Sequence, residues 1–282
     1  MKFRFGGVLT LLALAACAPK PAAPAASTAG GDHDAHDDGI ATSGLTYRTE
    51  STELSGFLAY PEGGTEKRPG VLVVHEWWGL NDYARARARQ LAGLGYVALA
   101  VDMYGGGRNS DHPDDAKKLM TEVMSNRDEA ARRFTAARDA LAKDPHVDPS
   151  KIAAIGYCFG GATVLQAARR GEDLDAVASF HGNYATDKPL QKGTFAGKVF
   201  VAHGAADSFS PPEQVAGVQR ELREAGIDFV FESYPNAKHG FTNPHADDTA
   251  RRTGLDVGYD AAADAQSWQK LQELLRAAFA AP

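Results

Sequence analysis

A chain of 282 residues, 44% hydrophobic and 23% charged, has the composition of an ordinary globular protein and suits one large α/β domain once a leader is set aside. Its net charge of −6, with no basic cluster, excludes a nucleic-acid-binding surface. The two cysteines, Cys17 and Cys158, stand far apart in unlike surroundings and predict no disulfide.

Lys2 and Arg4 precede an apolar run, Val8 to Ala16, that is too short to remain as a membrane span. Leu14-Ala15-Ala16-Cys17 resembles the lipobox of bacterial lipoproteins. That resemblance implies a signal peptide at 1–16, a lipid on Cys17, and a periplasm-facing place in the cell envelope. Ala18, where an Asp would signal inner-membrane retention, leans towards the outer membrane. The alternative is an ordinary secretory leader with a chance cysteine. Residues 17–44 read as a tether, Pro/Ala-rich and without apolar periodicity. The tract Asp32-His33-Asp34-Ala35-His36-Asp37-Asp38 is either a solvated linker or a weak metal binder.

From 45 to 282 the pattern predicts strands alternating with helices. Leu45–Glu50 and Leu54–Tyr60 read as an antiparallel hairpin at a sheet edge. Val71–Val74 is a buried strand, and Asn81 and Asp82 open a helix to Leu94 with Ala84, Ala88 and Leu91 on one face. A strand at Tyr96–Val101 precedes helices at Pro113–Met124 and Arg127–Ala142. Strand Ile152–Ile155, a helix to Arg170, and strands Ala176–Phe180 and Val199–Ala202 follow. Helix Pro212–Ala225, strand Phe229–Tyr234 and a long helix Ala261–Ala280 complete the chain. Such alternation means a mostly parallel sheet with helices on both faces, whose ligands bind at the carboxyl ends of the strands.

Gly156-Tyr157-Cys158-Phe159-Gly160 joins the Ile152 strand to its helix as G-x-C-x-G, the cysteine form of a nucleophile elbow. Small residues two before and two after the nucleophile let backbone pack closely around a sharp turn. The helix N-terminus then favours a thiolate. The same pattern also suits a buried structural cysteine in a Gly-rich turn. Glu76, Asp207 and His239 each follow a predicted strand. Taken singly, Asp207 reads equally as a turn residue, His239 as a loop histidine, and Glu76 as the partner of a surface arginine. All four stand at one end of the sheet, and Cys158, Asp207 and His239 follow the order nucleophile, acid, histidine of the α/β-hydrolases.

From about Leu45 onward the chain resembles the dienelactone hydrolase family. The resemblance rests on His75-Glu76-Trp77-Trp78-Gly79-Leu80-Asn81, Asp102-Met103-Tyr104-Gly105, Gly156–Gly161, His203-Gly204-Ala205-Ala206-Asp207 and His239-Gly240-Phe241. It implies an α/β-hydrolase fold and the opening of a small-molecule ester or lactone by acyl transfer to Cys158. His239 and Asp207 would complete the triad, and Glu76 would accept the thiol proton. One departure matters. Where the family places a substrate-binding arginine soon after the catalytic histidine, this chain has Asn243, which offers no cation. Arg108 is the candidate replacement.

The backbone N–H groups of Phe159 and Trp77 are the expected oxyanion donors. Glu76, beside two tryptophans, is expected to have a raised pKa. Trp78, Tyr104, Tyr157, His181, Phe241 and Asn243 are candidates for the pocket wall, with Tyr184 and Phe209 nearby, although aromatic residues are more often core. No cofactor or metal motif is present, and a monomer is expected. A thioesterase or other acyl hydrolase is the alternative activity. A lipoprotein that uses the fold only for binding is the non-enzymatic alternative.

Overall fold

The computed structural model describes residues 1–2 and 39–280. The apolar leader, Cys17 and the His/Asp tract lie outside the described residues. The fold is that of the second of two compact units, His36–Pro282. An eight-stranded sheet forms its middle, in the order β1-β2-β4-β3-β5-β6-β7-β8. Strands β1 (Ile40–Arg48) and β2 (Glu53–Pro61) form an antiparallel hairpin, and β2 is antiparallel to β4 (Val97–Val101). From β4 onward every pairing is parallel, through β3 (Arg68–Val74), β5 (Val147–Tyr157), β6 (Ala176–Phe180), β7 (Lys198–Gly204) and β8 (Phe229–Tyr234).

The parallel strands read as unbroken apolar runs because both of their faces are covered. Side chains alternate along each strand. Leu72, Val74, Leu99, Val101 and Ala154 pack into one apolar cluster, with Phe134 and Leu141 of α3 (Arg127–Ala142) and Val164 of α4 (Phe159–Arg169). Val71, Val73, Ala98, Ala100 and Ile155 pack into the other, with Ala84, Ala88 and Leu91 of α1 (Asp82–Gly93). Leu271 and Leu275 of α7 (Ala261–Phe279) join that second face. Each fully buried Leu, Val or Ile contributes about 1.5–3 kcal/mol. The helix starts follow local chemistry. The side chains of Asn81, Asn126 and Asp260 accept the orphan N–H groups of α1, α3 and α7. Pro113 sits in the first turn of α2 (Pro113–Met124), and Pro212 in that of α5 (Pro212–Glu224).

Two differences from the sequence reading have physical causes. The first strand begins at Ile40 rather than Leu45, because backbone pairing with β2 runs on to Ile40 opposite Pro61 through Thr42, Ser43 and Gly44, which break the apolar alternation. A short helix, α6 (Ala246–Thr253), fills the stretch after His239 where the sequence pattern predicts no element. It buries only Ala246 and Thr249, so no apolar stripe marks it, and it ends on Gly254 with φ 73°.

Candidate active site

The turn between β5 and α4 puts Cys158 at φ 55°, ψ −113°, a conformation that side-chain-bearing residues rarely adopt. Three main-chain bonds hold it there. Cys158 N–H donates to the Phe180 carbonyl (3.0 Å), Gly160 N–H to the His75 carbonyl (3.1 Å), and Ala162 N–H to the Cys158 carbonyl (3.1 Å). A Cβ on Gly160 would meet the Val74 carbonyl oxygen at 2.1 Å, and one on Gly156 would meet the Gly160 oxygen at 2.1 Å. The flanking glycines are therefore required by close backbone packing. Cys158 also caps α4 without using its side chain, so the sulfur stands at the open positive end of the helix.

His239 lies on the loop after β8 and Asp207 on the loop after β7. The two loops can touch because a Cβ on Gly204 would come within 2.4 Å of the Ala237 oxygen, and glycine has none. His239 Nδ1 is 2.9 Å from Asp207 Oδ2, and Asp207 Oδ1 accepts the Phe209 N–H at 2.8 Å. Burial alone would lower the pKa of His239. The Cys158 sulfur and the Asp207 carboxylate outweigh it and hold the imidazole well above its ordinary range. His181, at φ 40°, packs edge-on against His239 with ring centres 5.2 Å apart. Its Nε2 is 2.8 Å from Thr242 Oγ1, and Thr242 Oγ1 is 2.7 Å from the Tyr83 hydroxyl. Arg87 donates to the Thr242 carbonyl (2.7 Å) and pairs with Asp264 on α7. This buried chain fixes the loop that carries His239. The sequence reading missed it, although an arginine on the apolar stripe of α1, four residues after Tyr83, was a signal that could have exposed it.

Glu76 lies two residues past the end of β3, lines the same hollow as Cys158, and is only 5% exposed. Burial raises its pKa. A 2.7 Å hydrogen bond from Asn243 Nδ2 to Oε2 opposes that, as do the charges of His239 and Arg87. The surface-arginine alternative is thereby replaced by a buried amide partner. The backbone around Glu76 is pinned from both sides. His75 Nδ1–H donates to the Glu76 carbonyl, and the Tyr104 hydroxyl donates to the Trp77 carbonyl at 2.8 Å. Burial lowers the pKa of His75 to about 4, so that imidazole is neutral. Among the described residues, the N–H groups of Trp77 and Phe159 donate to no protein acceptor.

Glu76, Trp77, Trp78, Cys158, His239, Gly240 and Asn243, together with Ala246 and Thr249 of α6 and Val257, wall one hollow of about 300 Å³ including its open mouth. Of the six candidate wall residues, Trp78 and Asn243 line it and four do not. Tyr104, Tyr157, His181 and Phe241 are fully buried. Tyr104 lies behind Trp77. Tyr157, one residue before the turn, points to the opposite sheet face against Tyr83 and Phe180. His181 and Phe241 pack on each other behind His239. Tyr184 is also buried, with its hydroxyl 3.3 Å from His203 Nδ1. Arg108, the candidate replacement cation, is absent from the wall and is paired with Glu122. A larger groove of about 2040 Å³, its open mouth again included, lies between β1 and α3 and has neither a thiol nor an imidazole in its wall. Among the described residues no cluster of three or more His, Cys, Asp or Glu is placed to hold a metal ion, and no helix is long and apolar enough to cross a membrane.

Comparison with known proteins agrees with this architecture. The chain is 30% identical over 209 residues to the protein usf of Aquifex pyrophilus, a match covering 72% of this chain and 88% of the relative. It is 29% identical over 209 residues, with the same coverages, to a putative carboxymethylenebutenolidase of Aquifex aeolicus. The crystal structure of a dienelactone hydrolase-like promiscuous phosphotriesterase from metagenomic libraries superimposes with a TM-score of 0.78 at 37% identity, covering 84% of this chain and 98% of that one. The sequence model of the dienelactone hydrolase family matches residues 54–279, nearly the whole sheet and its helices, and the chain is therefore a hydrolase that belongs to the dienelactone hydrolase family, with the α/β-hydrolase fold.

Proposed function

We propose that this protein hydrolyses a small ester or lactone by acyl transfer to Cys158. The observation that carries this reading is the strained Cys158 at the open end of α4, sharing one hollow with Glu76 and with a His239 oriented by Asp207. Glu76 takes the thiol proton, and the thiolate attacks the carbonyl carbon. The oxyanion is held by the N–H groups of Phe159 and Trp77. Collapse breaks the C–O bond and gives an acyl-enzyme thioester, and the leaving oxygen takes its proton from His239. His239 then removes a proton from water, which attacks the thioester. The acid is released, and the departing thiolate takes back the proton held by Glu76, which restores the starting state. Asp207 orients the ring throughout and supports its positive charge whenever it is protonated.

Asn243 bears on the choice of substrate. Its amide is occupied by Glu76 and carries no charge, so neutral esters and lactones suit the hollow better than the anionic lactones a cation would select. A second reading is hydrolysis of phosphotriesters. It is favoured by the 37% identity to a promiscuous phosphotriesterase, since the same donors accept a phosphoryl oxygen. Lipid attachment at Cys17, periplasm-facing, belongs to the proposal as the way the enzyme is held in the cell envelope. It rests on the Leu14–Cys17 sequence and is checked by the mass of the N-terminal peptide.

The deciding experiment is a panel of neutral esters, lactones, thioesters and an aryl phosphotriester, assayed with wild type and Cys158→Ala. Neutral esters or lactones should be the best substrates, and Cys158→Ala should reduce their turnover by on the order of 10⁴-fold or more. An unchanged rate in that variant would refute the nucleophile.

A further inference from the structure

We propose that Phe209 forms a platform for the leaving group, and that the alcohol half of the substrate is a flat, apolar alcohol of the phenol class. The inference rests on the hydrolase reading above and adds to it the chemical class of one half of the substrate.

Phe209 is 43% exposed, although large apolar side chains in this fold are otherwise mostly buried. A single exposed apolar residue is ordinary, but this one has a particular place. Its ring lies 4.8 Å from the His239 ring, centre to centre, tilted by 52°. It stands two residues after Asp207 on a loop that is held by its main chain. Its N–H donates to Asp207 Oδ1 at 2.8 Å, and its carbonyl accepts from Asn183 Nδ2 at 3.2 Å. The loop is tied again next door, where Ser208 Oγ donates to Asp256 at 2.8 Å and Lys238 pairs with the same carboxylate. The ring is thus presented on a fixed support and left uncovered.

The chemistry decides what meets it. Nδ1 of His239 is engaged by Asp207, so the other ring nitrogen must deliver the proton to the leaving oxygen. That oxygen therefore sits beside the imidazole. The hollow that His239 shares with Cys158 is walled by Glu76, Trp78 and Asn243 as well, and a small acyl group is what it suits; Phe209 is not part of that wall. A substituent too large for the hollow has to pass outward, and the exposed Phe209 ring, in contact with the imidazole, is the apolar surface it can meet there. An aromatic ring there can pair with Phe209 at the roughly 4.5–7 Å typical of offset or edge-on arrangements. A branched or saturated alcohol gains only ordinary contact.

The test compares phenyl acetate with a fluorinated alkyl acetate whose alcohol is about as acidic as phenol, so that leaving-group reactivity is matched. Wild type, Phe209→Ala and Phe209→Leu are measured as the full chain. The ratio of kcat/KM for the phenyl ester over the fluoroalkyl ester should favour phenyl in wild type. It should fall about tenfold in Phe209→Ala and by an intermediate factor in Phe209→Leu, which keeps apolar bulk without a flat face. A ratio unchanged in both variants would overturn the proposal, whatever happens to the absolute rates, because Phe209 would then only support His239. If neither ester is hydrolysed by wild type, or Cys158→Ala hydrolyses both at the wild-type rate, the nucleophile reading itself fails and this inference falls with it.

Discussion

Strands β3 and β4 lie side by side, with Val74 opposite Val101, and each runs into a buried carboxylate. After β4, Asp102 is fully buried and accepts four backbone N–H groups. Oδ1 takes Tyr104 (2.9 Å) and Gly105 (2.8 Å), and Oδ2 takes Ser55 (3.0 Å) and Gly107 (2.7 Å). After β3, Glu76 is almost as deeply buried but takes a single hydrogen bond, from Asn243, and burial raises its pKa. The same functional group under the same burial does opposite things. Saturated with donors, a carboxylate is an inert fastening for the loop around it. Left with one donor, Glu76 keeps the raised pKa that burial imposes, which is what the role proposed for it requires.

Three substitutions test that contrast. The largest effect is expected from Glu76→Gln. It should slow acylation by ~10²–10⁴ at neutral pH, read as the pre-steady-state burst, while the thermal midpoint stays level or rises because a desolvated charge has gone. The pH profile gives the sign. In the role proposed for it, Glu76 serves as a base only when ionised, and burial raises its pKa. Wild-type acylation should therefore be lost, as pH falls, above the ordinary carboxylate range, and the variant should lack that limb. The linked effect on stability runs the other way. A raised folded pKa means the native state holds the proton more tightly, so ionising Glu76 as pH rises costs stability.

Next in size is Asp102→Ala. Four buried N–H groups lose their acceptor, which should destabilise the fold by about 3 kcal/mol or more and lower the melting temperature by roughly 6–12 °C. Burst amplitude per folded molecule should hardly change. A collapse of chemistry with unchanged stability would reverse the roles assigned to the two carboxylates. The smallest effect is expected from Asn243→Arg, which gives Glu76 a charged partner. It should lower the acid limb and raise the preference for an anionic over a neutral lactone roughly ten- to a hundredfold in kcat/KM. No change in that preference would show that the Asn243 position does not face the substrate.

The sequence carried the frame well where one physical signal dominated. Ala176–Phe180 and Phe229–Tyr234 agree with the observed strands because each is a short run between clear turns. Helices α2 and α3 keep their predicted bounds because Pro113 and Asn126 mark their starts. Cys158, Asp207 and His239 meet because each follows a strand of one parallel sheet. The aromatic residues were harder to read. Tyr157 and Tyr104 share the motifs of the site but face away from it or behind it. Facing depends on strand alternation through a bent turn, and composition does not record that. Asn243 was legible as a missing cation, whereas its bond to Glu76 links positions 167 apart and has no local mark. The eight-residue helix α6 buries too little apolar surface to show a period.

The positive φ of Cys158 has an evolutionary consequence. Glycine is the residue that backbone geometry favours at this turn, and a side chain held there costs on the order of 1–3 kcal/mol. A lineage selected for folding alone would drift down that gradient and lose its thiol to glycine, gaining robustness as it did so. Inactive descendants of such a protein should therefore be sturdier than the ancestor rather than weaker, with the elbow silenced before any other part of the sheet has changed.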